Sequence, residues 1–98
     1  MLNVKLIEER FRREIEDIVI YEVQYYIKDS QVWENLCERL GEYIDLFYSK
    51  YNIEWKVTAG RYGTGEIRMD FNEDPPFSLA YMIDLNIYRN TRLGVDFR

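Results

Sequence analysis

Four side chains in the second half of this 98-residue chain have the types and spacing for phosphodiester chemistry: Glu54, Lys56, Asp70 and Asp84. Glu54-Trp55-Lys56 puts an acid and a lysine on the same face of an extended segment, because alternate residues of a strand point the same way. Two carboxylates on that face would hold magnesium, and the lysine would stabilise developing negative charge. The bland reading is an amphipathic strand whose Lys56 pairs with Glu66 or Asp70 across a sheet.

Glu54-Trp55-Lys56 resembles the acid-x-lysine element of one large nuclease class. The order of elements departs from that class, which places an acidic strand before the acid-x-lysine strand. A magnesium-dependent nuclease is therefore the remotest of three functional expectations.

Other chemistry is poorly equipped. The chain has no histidine, which excludes Ser-His-Asp and Cys-His catalysis and most zinc sites. Cys37 is the single cysteine, so it forms no disulfide within the chain and cannot build a thiolate metal site. It falls on an apolar helical stripe, where a thiol packing as a small hydrophobe is the expectation. Gly60-Arg61-Tyr62-Gly63-Thr64-Gly65 lacks the Gly-Lys-Ser/Thr of a nucleotide-binding loop and reads as a hairpin turn. At its tip Arg61 offers a charged fork and Tyr62 a ring, residue types favoured in contact hot spots. No catalytic residue, metal site or cofactor is expected.

Two charged constellations suggest binding. Glu34, Glu38, Glu42 and Asp45 make an acidic ridge at helical spacing, which is either a solubilising face or a dock for a basic partner. Arg68, Arg89, Arg92 and Arg98, with Arg61 and Tyr88, form a basic set that would suit phosphate or an acidic protein. The net charge is −5, and this argues against wholesale phosphate neutralisation. The imbalance sits in residues 1–50, with 7 basic and 11 acidic side chains.

The elements that must position these residues are legible in the hydrophobic rhythm. Before Asn52 apolar residues recur every three or four positions, and after it every second position. Residues 3–28 lack Gly and Pro, and Val4, Ile7, Phe11, Ile15, Ile18 or Val19, Val23 and Tyr26 follow helical spacing. Glu9–Arg13, Arg10–Glu14, Arg12–Glu16 and Arg13–Asp17 are spaced for i,i+4 pairs on the opposite, solvated face. Residues 18–27 are too apolar for one buried stripe. They are a helix buried on more than one side, a helix packed on a second copy, or a strand; helix is the expectation. Asp29 or Ser30 reads as the cap of a second helix over 31–51, whose stripe is Trp33, Leu36, Cys37, Leu40, Ile44, Phe47, Tyr48 and Tyr51.

Strands are expected at 53–59, 66–71, 77–88 and 93–97. The fold class is α+β: two N-terminal helices on one face of a C-terminal antiparallel meander of three to four strands, ααββββ, in a single domain over 1–98. No stretch approaches the ~20 apolar residues that span a bilayer, and no leader-like segment opens the chain. A soluble cytoplasmic protein is expected. The histidine-free, tyrosine- and charge-rich composition would suit a thermophile or one of its viruses. The functional expectation is a small acidic interaction protein without catalysis, a homodimer that also binds another protein as inhibitor, adaptor or accessory factor. The alternative is a nucleic-acid accessory protein using the outer sheet face and the C-terminal arginines.

Overall fold

The computed structural model describes residues 3–26 and 28–93, with side chains through Arg89. Two helices lead into three strands and a short third helix: α1 (Val4–Tyr25), α2 (Asp29–Tyr48), β1 (Ile53–Ala59), β2 (Thr64–Phe71), β3 (Phe77–Asp84) and α3 (Leu85–Leu93). The architecture is α+β, and the change of rhythm at Asn52 falls one residue before β1.

Asn3 caps α1, its side-chain oxygen accepting from the Leu6 amide at 3.1 Å, which satisfies one of the free N–H groups of the first turn. The helix ends where Tyr26 turns extended (φ −121°, ψ 131°). It continues through Ile18–Tyr25, the segment whose state the sequence left open; Ile27 lies outside the described residues. Within it Ile18, Val19, Glu22 and Val23 are buried on one face, while Tyr21 and Tyr25 are exposed; α1 as a whole packs against both α2 and α3. Of the expected i,i+4 partners, Arg12 pairs instead with Glu8, and Glu16 turns inward to accept from the Tyr81 hydroxyl.

α2 begins at Asp29 with Lys28 at the cap position and no side-chain capping bond. The expected cap by Asp29 or Ser30 is therefore replaced. Asp29 occupies the first turn, where its charge favours the helix dipole, and its carboxylate is held by Arg89. Cys37 is exposed, not a core thiol, and Phe47 is only partly covered, at 38% exposed. The helical phase of Cys37 is that of covered neighbours, but burial also needs an element opposite. The sheet meets α2 on either side of Cys37, where Trp33 packs on Gly65 and Trp55 on Gly41.

The three strands form an antiparallel sheet in the order β1-β2-β3. Glu54 stands opposite Asp70, Lys56 opposite Arg68, and Asp70 opposite Ser78. The inner face of β2 supplies Ile67, Met69 and Phe71 to the core, where they meet Phe11, Ile15 and Val19 of α1 and Leu36, Leu40 and Tyr43 of α2. Fully burying such a side chain contributes about 1.5–3 kcal/mol, so this two-layer core carries the fold. The outer face of the sheet has no element over it among the described residues.

The third strand stops at Asp84, earlier than the expected 88. Residues 85–93 form α3, so Leu93 is helical, and the rest of the expected strand 93–97 lies outside the described residues. The cause is a cap: Asp84 Oδ1 accepts from the Asn86 amide at 3.0 Å, the bond an N-cap side chain makes to the second helical residue.

Candidate functional site

The hairpin between β1 and β2 turns on two residues with positive φ, Tyr62 at 58° and Gly63 at 76°. The Thr64 amide closes the turn onto the Arg61 carbonyl at 3.1 Å, and the Thr64 hydroxyl donates to the same oxygen at 2.6 Å. Two successive positive φ values define the tight hairpin turns that match strand twist, and Asn or Gly normally fills them. Tyr62 in the first position is unusual. An L-residue there carries about 1–2 kcal/mol of steric cost.

The turn is held from beneath by elements far away in the chain. The Leu85 amide donates to the Gly63 carbonyl at 3.0 Å. Asn86 Nδ2 donates to the Tyr62 carbonyl at 2.7 Å. The carboxylate of Asp29 packs against Gly63, where a Cβ would lie 2.9 Å from Oδ2, and Arg89 grips that same carboxylate. The start of α2, the hairpin and the start of α3 therefore converge at one pole. On top of this base the Tyr62 ring is 86% exposed and Arg61 is exposed beside it. Ile87, next to the Asn86 support, is 61% exposed, and Met82 on the outer sheet face is 70% exposed. The result is a braced knob with a guanidinium, a phenol ring and apolar surface at one end of the molecule.

The remaining residues of interest are dispersed. Glu34, Glu38 and Glu42 are exposed on the outer side of α2, as expected for the ridge. Arg68 donates to Asp70 at 3.0 Å on the outer sheet face, while Arg89 is mostly buried against Asp29. The basic set is therefore not brought together: Arg68 and Arg89 serve different places. The side chain of Arg92, and all of Arg98, lie outside what is described.

The carboxylates of the nuclease expectation divide in the same way. Glu54 and Asp70 are opposite each other, but Asp84 pairs with Thr64. It stands six residues along the sheet from the level of Asp70, about 20 Å at strand rise. Asp84 caps α3, and Asp70 is committed to Ser78 and Arg68. These two bonds, that of Ser78 first, hold the Asp70 carboxyl below the usual range. Among the described residues no group of three His, Cys, Asp or Glu side chains is placed to hold a metal ion.

Sequence reasoning did not find three supporting residues, Asp29, Asn86 and Glu22. Glu22 is buried (3% exposed), with Arg39 at 3.0 Å and Asn35 at 3.2 Å on its two oxygens. A half-buried polar group joins α1 to the sheet: the Tyr81 hydroxyl donates to Glu16 at 2.9 Å and shares a 2.7 Å bond with the Tyr88 hydroxyl. Burial, then the bonds to Tyr88 and Glu16, push the Tyr81 phenol far above its ordinary value. Burial and Tyr48 do the same to Tyr43.

No family description, curated protein or solved structure matches this chain in comparisons with known proteins. No helix among the described residues is long and apolar enough to cross a membrane.

Proposed function

We propose that this chain is a non-catalytic interaction protein that self-associates and presents the Arg61–Tyr62 turn to a second protein. The observation that carries the reading is Tyr62: 86% exposed, at φ 58°, on a turn held by two other segments, the starts of α2 and α3. A strained residue persists where its surroundings over-determine it, and such strain clusters where it serves function. The ring contributes almost nothing to the core, so its own fold gains little from a tyrosine in a position suited to asparagine. A rigid, exposed Tyr beside Arg has the chemistry of an interface anchor: the ring loses little freedom on being covered, and the guanidinium supplies directional donors. The acidic ridge on α2 would favour basic surfaces during encounter. Reading the protein as a nucleic-acid accessory factor is weaker, since Arg68 and Arg89 are already paired with acids.

Tyr62→Asn tests the proposal. Asparagine tolerates the left-handed region, so the variant should melt at the same temperature or a few degrees higher while losing its partner. The tagged chain is used for affinity capture from its native lysate, with nuclease-treated and untreated halves compared. Capture of a protein by the parent chain, absent with Tyr62→Asn and insensitive to nuclease, supports the reading. Capture that vanishes with nuclease overturns it in favour of nucleic acid.

A further inference from the structure

β3 is an outer strand of the sheet, so alternate residues along it turn backbone N–H and C=O groups away from β2. Proteins usually blunt such an edge with charge, proline or cover. The other outer strand carries Glu54 and Lys56, but β3 has no charged residue from Phe77 to Ile83. Alongside Phe77–Tyr81 a cleft of about 200 Å³ opens beneath the first half of α1, with Val4 and Phe11 as its apolar wall and Glu8 and Arg12 at its rim. Leu6, on the same half of α1, is 60% exposed.

We infer that this edge is where a second copy of the chain binds, β3 pairing antiparallel with its own copy to make a continuous six-stranded sheet. The proposal deepens the self-association in the preceding reading and is independent of the Tyr62 contact.

Charge complementarity identifies the occupant. The flank of α1 that overhangs the cleft carries Glu8 and Glu9, then one turn later Arg12 and Arg13, and Lys5, Glu8, Glu9 and Arg12 line an adjoining hollow. Glu8 and Arg12 pair within the chain at 3.5 Å with both side chains more than half exposed, leaving capacity for further partners. An acid pair followed by an arginine pair is self-complementary when reversed. Two antiparallel copies of α1 related by a two-fold axis between Arg10 and Phe11 put Glu8 opposite Arg13 and Glu9 opposite Arg12. Phe11 lines the same cleft as Leu79, so that axis also passes close to the middle of Phe77–Tyr81. Strand pairing about Leu79 sets Phe77 against Tyr81 and Ser78 against Ala80, with no like charges facing. One isologous axis therefore satisfies both the strand and the helix.

The test is sedimentation velocity on the full chain, with far-UV circular dichroism confirming that each variant is folded. The parent chain should sediment as a dimer at micromolar concentration. The charge-reversed pairs Arg12→Glu with Arg13→Glu, and Glu8→Arg with Glu9→Arg, should each sediment as monomers, and their 1:1 mixture should recover the dimer. Amide exchange in Phe77–Tyr81 should slow as the parent chain is concentrated. A monomeric parent chain overturns both this interface and self-association. A dimer that survives both reversals, a mixture of folded variants that stays monomeric, or exchange in 77–81 that ignores concentration overturns this interface while leaving self-association standing.

Discussion

Replacing Arg39 should be far more damaging than replacing Glu22, its partner. Glu22 is 3% exposed on the face of α1 packed against α2, and its two oxygens are met by Arg39 and Asn35. Arg39 itself is 41% exposed and also lies over the Tyr21 ring at 4.7 Å. Arg39→Met leaves a carboxylate in the interface with only one amide. Stranding a fully buried charge costs about 3–5 kcal/mol; the remaining Asn35 bond and the partly wet position of Arg39 reduce this to roughly 2–3 kcal/mol. For a domain of this length that lowers Tm by about 10–20 °C. Glu22→Met removes the buried charge as well as its bonds, and Arg39 can hydrate where it is, so the cost should be about 1 kcal/mol or less. The double variant should resemble Glu22→Met, so the coupling in the cycle equals the cost of Arg39→Met, roughly 2–3 kcal/mol. Urea unfolding of all four proteins, with m held common, measures this. A Glu22→Met protein as destabilised as Arg39→Met would refute the idea that burial of an unpaired carboxylate sets the energy.

Two further outcomes are expected. Gly65→Ala should destabilise by roughly 2–4 kcal/mol in the same assay, because a Cβ there would sit 2.6 Å from Trp33 Cη2 and 2.7 Å from the rigid Thr58 carbonyl oxygen. Alkaline stability should be controlled by the buried phenols. The phenol of Tyr81 is held above its ordinary value of 10.0 by burial and its bonds, so the folded state keeps a proton that the unfolded state releases. Its contribution is complete below pH 10.0 and declines as the pH rises beyond. Tyrosinate absorbance from Tyr43, Tyr81 and Tyr88 should therefore appear together with loss of far-UV signal, and Tyr81→Phe should reduce that step while weakening stability at neutral pH.

Much of the fold was legible because most of its main elements have a clean period. The stripe from Trp33 to Tyr48 and the alternation of Ile53, Trp55 and Val57 each admit one reading, whereas Ile18–Tyr25 fits both periods and was decided for helix only by the lack of a turn before it. α3 was not legible because Leu85 satisfies both periods: it continues the alternation of Leu79, Tyr81 and Ile83, and it also opens a helix with Tyr88 and Arg89 on its covered side. Only Asp84 as a cap decides between them, and an aspartate on a polar strand face looks the same in sequence. Glu22 was hidden inside an apolar run, where a single acid is easily taken for the wet side of the helix. At the candidate site the turn and its tip were readable from Gly60–Gly65. The base beneath it was not, since Asp29, Gly63 and Arg89 meet through packing between segments tens of residues apart.

The pole where those three residues meet also has a consequence for how the chain assembles. The helical pair α1–α2 and the meander β1-β2-β3 are each built from neighbours in sequence, so each half can close its own short loops early. Asp29 sits at the bend of the first half and Gly63 at the bend of the second, with Arg89 reaching them from the last described helix. The two bends are thus clasped only when the final described helix is in place. The shared core can join the two layers before that point, so the nine residues of α3 act as a latch that fixes the hairpin against the start of α2 after the layers have met.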